Sequence, residues 1–176
     1  MSHFSSWTKL KRAVAWLLKL KGLLKELKAK RKEPNTLCGE SKVEQFKKAY
    51  KGTNLTCDNL LEAETEILKY CQKQRFEDDL TMLKEHHRVK KGSSLYKLNP
   101  VLQEGVMRVG GRLSRAAMPD HSKQPAILPK HSHITRLVLR HIHDITAHAG
   151  RNHMLAQLRS GYLELMEPSE LSCPSA

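Results

Sequence analysis

Apolar residues recur at helical intervals of three and four over residues 7–30, which predicts one long amphipathic helix. The apolar positions are Trp7, Leu10, Val14, Leu17, Leu24 and Leu27, and the lysines fall largely on other faces. Ser5 or Ser6 is a candidate N-cap, and Pro34 stops the pattern. A basic amphipathic helix suits a membrane surface or nucleic-acid phosphates, but docking on a neighbouring domain is the favoured interpretation.

A second helical stripe begins after Thr56, a candidate N-cap, and continues to about His86. Its apolar positions are Leu60, Ile67, Leu68, Cys71, Phe76, Leu80 and Leu83. Three consecutive acids begin at Glu77, and because consecutive helical positions point in different directions they predict a solvated face rather than a metal site. Residues 34–55, which precede this helix, carry turn-forming and polar residues without a sustained period and predict a linker.

The period changes after Gly92, where short runs separated by turns predict a small β unit over residues 95–128. Turn-forming residues stand at Pro100, Gly105 and Gly110–Gly111. The glycine pair lacks the Gly-Lys-Ser/Thr ending of a nucleotide-binding loop, so we expect two backbones to approach closely there. The predicted fold class is mostly α with a small β-hairpin unit (α+β), in which long amphipathic helices flank short strands.

The charge of the chain changes this picture by pointing to polyanions. The chain has 176 residues, a formal net charge of +13 and an isoelectric point near 9.7. Residues 1–33 hold ten lysines and arginines against two glutamates, which is +8 of that total. Nucleic acid is therefore an expected partner, bound weakly and without sequence preference. The apolar run at residues 13–18 is too short for a signal peptide or a membrane span, so no transmembrane segment is predicted.

The four cysteines, Cys38, Cys57, Cys71 and Cys173, are widely separated and form no Cys-x-x-Cys pair. Together with the lack of a secretory leader, this spacing favours reduced thiols in an intracellular protein. We find no carboxylate constellation and no serine or cysteine in a context that would activate a nucleophile. The chain is therefore predicted not to be an enzyme.

Histidines give the chain its most distinctive chemistry. His143 lies near the end of a predicted helix over residues 134–145, and His148 follows five positions later, just before Gly150. Imidazoles at this spacing converge on one cation if the helix end and the following turn fold back together. A second helix is predicted after the glycine. The sequence therefore predicts a helix, a turn that carries metal ligands, and a second helix. His141 and His153 are nearby substitutes, each more typical of a surface residue.

Several segments of the chain, in order, resemble the zinc-binding domain of retroelement integrases and the sequence that precedes it in Pao/BEL-type retrotransposon polyproteins. They are Phe4–Trp16, Leu98–Leu113, Pro125–Lys130, His133–His143, His148–Gly150 and Leu155–Arg159. The first is similar to the linker that follows the ribonuclease H part. The likeness covers roughly residues 4–162.

This resemblance implies a His-His-Cys-Cys zinc site in which His143 and His148 supply the first two ligands. Cys173 lies at a suitable distance to be the third, but the sequence after Tyr162 departs from the family and the fourth ligand is missing. Structural zinc normally takes four protein ligands, so Zn2+ binding is expected to be weak and the domain truncated. The family implies a role in DNA integration, nuclear localisation, and partners that are element DNA, the rest of the integrase polyprotein or a second copy.

The patterns and the resemblance together divide the chain into six segments. These are a basic amphipathic helix (1–33), a linker (34–55), a helical segment (56–90), a small β unit (95–128), an incomplete integrase zinc-binding domain (129–162) and a divergent tail (163–176). The alternative interpretation is a basic membrane-surface or protein-docking module that acts through its first helix.

Overall fold

The computed structural model describes residues 3–30, 54–110, 123–147 and 150–164. Its helices are α1 (Trp7–Lys30), α2 (Cys57–Arg75), α3 (Glu77–His86), a short 3-10 helix (Tyr96–Leu98), α4 (His133–Ile145) and α5 (Arg151–Arg159). Its strands are β1 (Val101–Gln103), β2 (Val106–Arg108), β3 (Ala126–Leu128) and β4 (Tyr162–Glu164). The prediction of a mostly helical α+β fold with a small sheet is confirmed. Most of the predicted linker and nearly all of the predicted tail lie outside the described residues.

The chain forms two compact units, one of residues 9–64 and one that combines residues 1–8 with residues 65–176. Within the first unit, α1 is tied to the start of α2 by an ion pair of 3.0 Å between Lys11 and Glu64. Lys19 Nζ also donates to the carbonyl oxygen of Asn54 at 2.7 Å. These contacts fix α1 at Lys11 and Lys19, while the second unit contains the sheet and the predicted metal ligand His143.

Helix α2 begins as predicted, with Thr56 as its N-cap. The Thr56 hydroxyl accepts from the Asn59 amide at 3.3 Å, and the Asn59 side chain accepts from the Thr56 amide at 3.1 Å. This reciprocal pair satisfies two of the backbone donors that a helix start leaves open. The expectation of a single helix to His86 is wrong, because the backbone leaves helical geometry at Phe76 (φ −124°, ψ 36°) and α3 starts anew.

The bend at Phe76 has a packing consequence. Phe76 is buried in one cluster with Leu80 and Leu83, the inward residues of α3. The other members of this cluster are Val89, Leu95, Met107 and Ile127. The hydrogen bonds from Phe76 N to Gln72 O and from Leu80 N to Phe76 O continue through the bend, so it costs little backbone pairing. We infer that burial of the aromatic ring outweighs straight helix geometry at this position.

The sheet has the strand order β1-β2-β3-β4. A two-residue turn joins β1 and β2, and its residues Glu104 (φ 51°) and Gly105 (φ 81°) are both left-handed, which matches the natural twist of a hairpin. β2 and β3 are antiparallel, with Arg108 opposite Ala126. A Cβ at Gly110 would collide with the Asn99 carbonyl oxygen, so the expected close approach of two backbones is confirmed there.

The fourth strand was not predicted. β4 pairs in parallel with β3, so that α4 and α5 form the connection between two neighbouring strands. The predicted helix-turn-helix-like ending did not include this strand: after α5 the chain returns to the sheet. A three-residue parallel strand carries no turn signal and too few positions for a period, which is why the pattern does not reveal it.

Gln72 on α2 holds the middle of the sheet together. It is fully buried, and its Nε2 donates to the carbonyl oxygens of Met107 on β2 and Ile127 on β3, each at 2.8 Å. Its Oε1 accepts from the Met107 amide at 2.7 Å. The alternation of an antiparallel pair directs the Met107 backbone groups away from β1, and the Gln72 amide supplies their partner. A side-chain amide therefore bridges β2 and β3 where one more backbone pair would otherwise stand.

We predict that Gln72→Ala lowers the free energy of unfolding by about 2–4 kcal/mol, because it leaves buried backbone groups unpaired and opens a cavity. Urea denaturation followed by circular dichroism measures the change. The matched control is Gln74→Ala, which removes an exposed glutamine two positions along the same helix. Equal losses in the two variants would contradict the bridging role.

Candidate metal centre

Helix α4, which carries the first predicted zinc ligand, is fixed at its start. The Ser132 hydroxyl accepts from the Ile134 amide at 3.3 Å as an N-cap, and it lies 3.1 Å from the thiol of Cys71 on α2. The buried hydroxyl of Thr135 donates to the Pro129 carbonyl oxygen at 2.8 Å, which ties the first turn to the end of β3. The apolar face of α4, with Ile134, Leu137, Val138 and Ile142, is buried.

His143 lies in the last turn of α4, half-buried, where the chain turns sharply. The Thr146 hydroxyl donates to the carbonyl oxygens of Ile142 at 2.8 Å and His143 at 3.2 Å, so it caps the end of the helix. Ala147 then adopts left-handed geometry with φ 48°, and its amide bonds to the Asp144 carbonyl at 3.2 Å. This turn ends α4 directly after the predicted ligand.

The other two predicted ligands, His148 and Cys173, lie outside the described residues. The structure therefore locates one member of the three-residue set, His143. Within the described ranges, no group of three histidine, cysteine, aspartate or glutamate side chains is arranged to hold a metal ion. His153, one of the substitutes, is exposed in the first turn of α5, where its amide bonds to the Gly150 carbonyl at 2.9 Å. The other, His141, is half-buried on α4.

Two residues that look chemically available have structural roles instead. His133 Nε2 lies 2.9 Å from the carbonyl oxygen of Phe4, and since a carbonyl only accepts, the ring nitrogen is the donor. Burial raises the pKa of the Cys71 thiol, and the contact with Ser132 opposes this only in part. Because a cysteine binds a metal as its thiolate, the raised pKa of the Cys71 thiol disfavours this residue as a ligand.

The exposed arginines of α4 and α5 were not predicted as functional residues. Arg136 and Arg140 are exposed one helical turn apart on α4, and Arg151 and Arg159 are exposed on α5. The signal was present in the sequence, because residues 123–159 hold six lysines and arginines and one acid, Asp144. The helices α4 and α5 therefore both expose basic side chains.

Comparison with known proteins returns no relatives: the chain matches no protein-family model, no curated protein and no solved structure.

We predict weak zinc binding that depends on His143. His143, His148 and Cys173 are one ligand fewer than a structural zinc site normally uses, so most of the roughly 10–16 kcal/mol that four-ligand zinc fingers gain from the metal should be absent. A zinc titration followed by calorimetry should show low affinity, lost in His143→Ala and weakened by acid, because a protonated imidazole cannot bind metal. His86→Ala, which removes an exposed histidine at the end of α3, is the control. Stoichiometric nanomolar binding with a gain of helix would contradict this prediction.

Proposed function

We propose that this chain is a non-catalytic segment of a Pao/BEL-type retrotransposon polyprotein, similar to the integrase zinc-binding domain, with a role in nucleic-acid binding and assembly. The observation that carries the proposal is the unit of α4 and α5. Its two helices contact each other, α4 ends two residues after His143, and the exposed positions of the helices carry four arginines.

The charge distribution around α4 supports nucleic acid as the partner. Arginine forms two parallel hydrogen bonds with phosphate, so Arg136 and Arg140, exposed one turn apart, are suited to neighbouring phosphates of a backbone. The opposite face of the helix is buried and apolar, which leaves the charged face as the available one. The interaction is with phosphates rather than base edges, so the expected binding does not depend on sequence.

Zinc has a structural place in this proposal. His143 and His148, with Cys173, would hold the ion at the end of α4, where it would fasten the helix end to the following turn. In the described part of the chain, the residue available to such a site is His143, in the capped last turn of α4. The binding surface is proposed to depend mainly on the burial of the apolar face of α4, and little on the metal.

We predict that the full chain binds random duplex DNA with a dissociation constant of about 10⁻⁴–10⁻⁶ M at physiological salt, and that the affinity falls steeply as salt rises. Fluorescence anisotropy with scrambled competitors measures both properties. Arg136→Gln with Arg140→Gln should make the slope of log affinity against log salt concentration shallower by the equivalent of about two phosphate contacts. Lys73→Gln with Arg75→Gln, a pair of exposed cations on α2, controls for the general loss of charge. A strong preference for one duplex sequence, or no binding at low salt, would contradict the proposal.

A second candidate, the membrane-surface or docking module, rests on an exposed stripe of α1 within residues 17–28. Leu17, Lys21, Leu24 and Lys28 follow each other at intervals of four, three and four, and all are exposed. Leu17 and Leu24 are 63% and 49% exposed, so this stripe combines apolar and cationic side chains in the way that anionic lipid surfaces favour. Among the described helices, none is long and apolar enough to cross a membrane.

The two candidates make different predictions for Leu17→Gln with Leu24→Gln. If α1 lies on membranes, these changes should abolish co-sedimentation with vesicles that contain anionic lipid, because apolar insertion is lost while the lysines remain. Ile145→Gln, which changes an aliphatic side chain that is 57% exposed on α4, is the control. Substitution is preferable to deletion of the arm, because Trp7 is buried and Phe4 bonds to His133. Unchanged binding, or no binding by the wild type, would contradict the second candidate.

A further inference from the structure

A second basic surface lies in residues 84–97, which we call the basic loop. It runs from the last turn of α3 to the short 3-10 helix. The loop holds five lysines and arginines against one acid, Glu85. All five cations are exposed: Lys84, Arg88, Lys90, Lys91 and Lys97. In the part of the chain that the structure describes, no ion pair engages these five side chains.

Two apolar anchors fix the basic loop to the core. Val89 and Leu95 are buried in the cluster that Phe76, Met107 and Ile127 help to form. The cationic side chains lie before, between and after these anchors, so burial of the anchors leaves the charges on the solvent side. A loop held at two points loses less conformational freedom when it binds than a free chain of the same composition.

Hydrogen bonds shape the stretch between the anchors. The Ser93 amide bonds to the Lys90 carbonyl at 3.0 Å, which closes a turn containing Lys91 and Gly92. The Ser93 hydroxyl donates to Asp79 Oδ2 at 3.0 Å and accepts from the Leu95 amide at 3.2 Å. The nearby Asp79 carboxylate is thus occupied by a neutral hydroxyl, and the turn that presents the two lysines is fastened to α3.

One aromatic side chain stands among these cations. Tyr96 is 47% exposed, directly follows the buried anchor Leu95 and precedes Lys97. Its backbone is held on both sides, because its amide bonds to the Ser93 carbonyl at 3.1 Å and its carbonyl accepts from the Asn99 amide at 3.2 Å. A partly exposed ring on a fixed backbone, in a loop with exposed lysines, is the arrangement on which an unpaired base stacks while cations contact the phosphates.

We infer that the basic loop binds single-stranded nucleic acid, with Tyr96 stacking on a base and Lys90 and Lys91 contacting the backbone. The inference rests on the proposed nucleic-acid function and adds a second surface and a strand preference to it. Bases in a duplex are already stacked on each other, so the ring favours single strands. An anionic membrane is a poorer match, because the aliphatic anchors Val89 and Leu95 are buried and Tyr96 is the one large hydrophobic side chain exposed in the loop.

The test is a fluorescence anisotropy titration of the full chain with a labelled oligothymidine and with a duplex of the same length. Tyr96→Ala should weaken single-strand binding about tenfold, because one base loses its stacking partner. Duplex binding should not change, because the substitution removes no charge and duplex bases are already stacked on each other. Tyr70→Ala is the matched control, since Tyr70 is 44% exposed and lies on α2 outside the loop. Tyr96→Trp should keep the single-strand affinity, which separates stacking from any effect of the substitution on folding.

A charge variant completes the experiment. Lys90→Gln with Lys91→Gln should make the slope of log single-strand affinity against log salt concentration shallower by the equivalent of about one to two phosphate contacts. Equal effects of Tyr96→Ala and Tyr70→Ala on single-strand binding would overturn the inference, even if duplex binding by the wild type upholds the proposed function. Binding of the wild type to neither oligonucleotide would overturn both. Loss of binding to anionic vesicles in Tyr96→Ala, without any oligonucleotide binding, would assign the loop to a membrane surface and also overturn the inference.

Discussion

The second compact unit depends on one buried amide. Gln72 reaches from α2 between β2 and β3 and pairs with both strands, which meet directly only beside it, where Arg108 lies opposite Ala126. A buried amide without partners would cost several kcal/mol, whereas this one has a partner on its oxygen and two on its nitrogen. The neighbouring residue Cys71 contacts Ser132 at the start of α4, so adjacent positions of α2 hold the sheet and that helix.

Both proposed binding surfaces are built on the strands that Gln72 joins. The side chains of Met107 and Ile127 pack in the cluster that anchors the basic loop, while their backbone groups bind Gln72. β3 continues through Pro129 into α4, whose last turn holds His143. A sheet of three-residue strands offers few backbone bonds of its own, so helices and side chains must supply the rest. This explains why two surface features so far apart in sequence share one structural support.

Local chemistry allowed several features to be predicted from the sequence. Thr56 is followed three positions later by an amide side chain, and this spacing encodes the cap without any tertiary contact. The glycine at position 105 marks the hairpin turn, because the position needs a positive φ. The long amphipathic period over residues 7–30 likewise predicted α1 as it is observed. For the candidate site, the sequence predicted a helix that ends just after His143, and this is also observed.

Features that depend on distant parts of the chain were not predictable. Gln72 continues the inward row of Leu68 and Phe76 at intervals of four, but a polar residue in an apolar stripe does not reveal which strands it will bridge. The bend at Phe76 and the pairing of β4 with β3 depend in the same way on tertiary packing.

The most direct test of the central claim is amide hydrogen exchange at Met107, measured by NMR in the wild type and in Gln72→Leu. We expect Met107 to exchange through global unfolding in the wild type and through faster local opening in the variant, after correction for its lower stability. Equal protection in both proteins, relative to their own stabilities, would contradict the claim that Gln72 holds the two strands together.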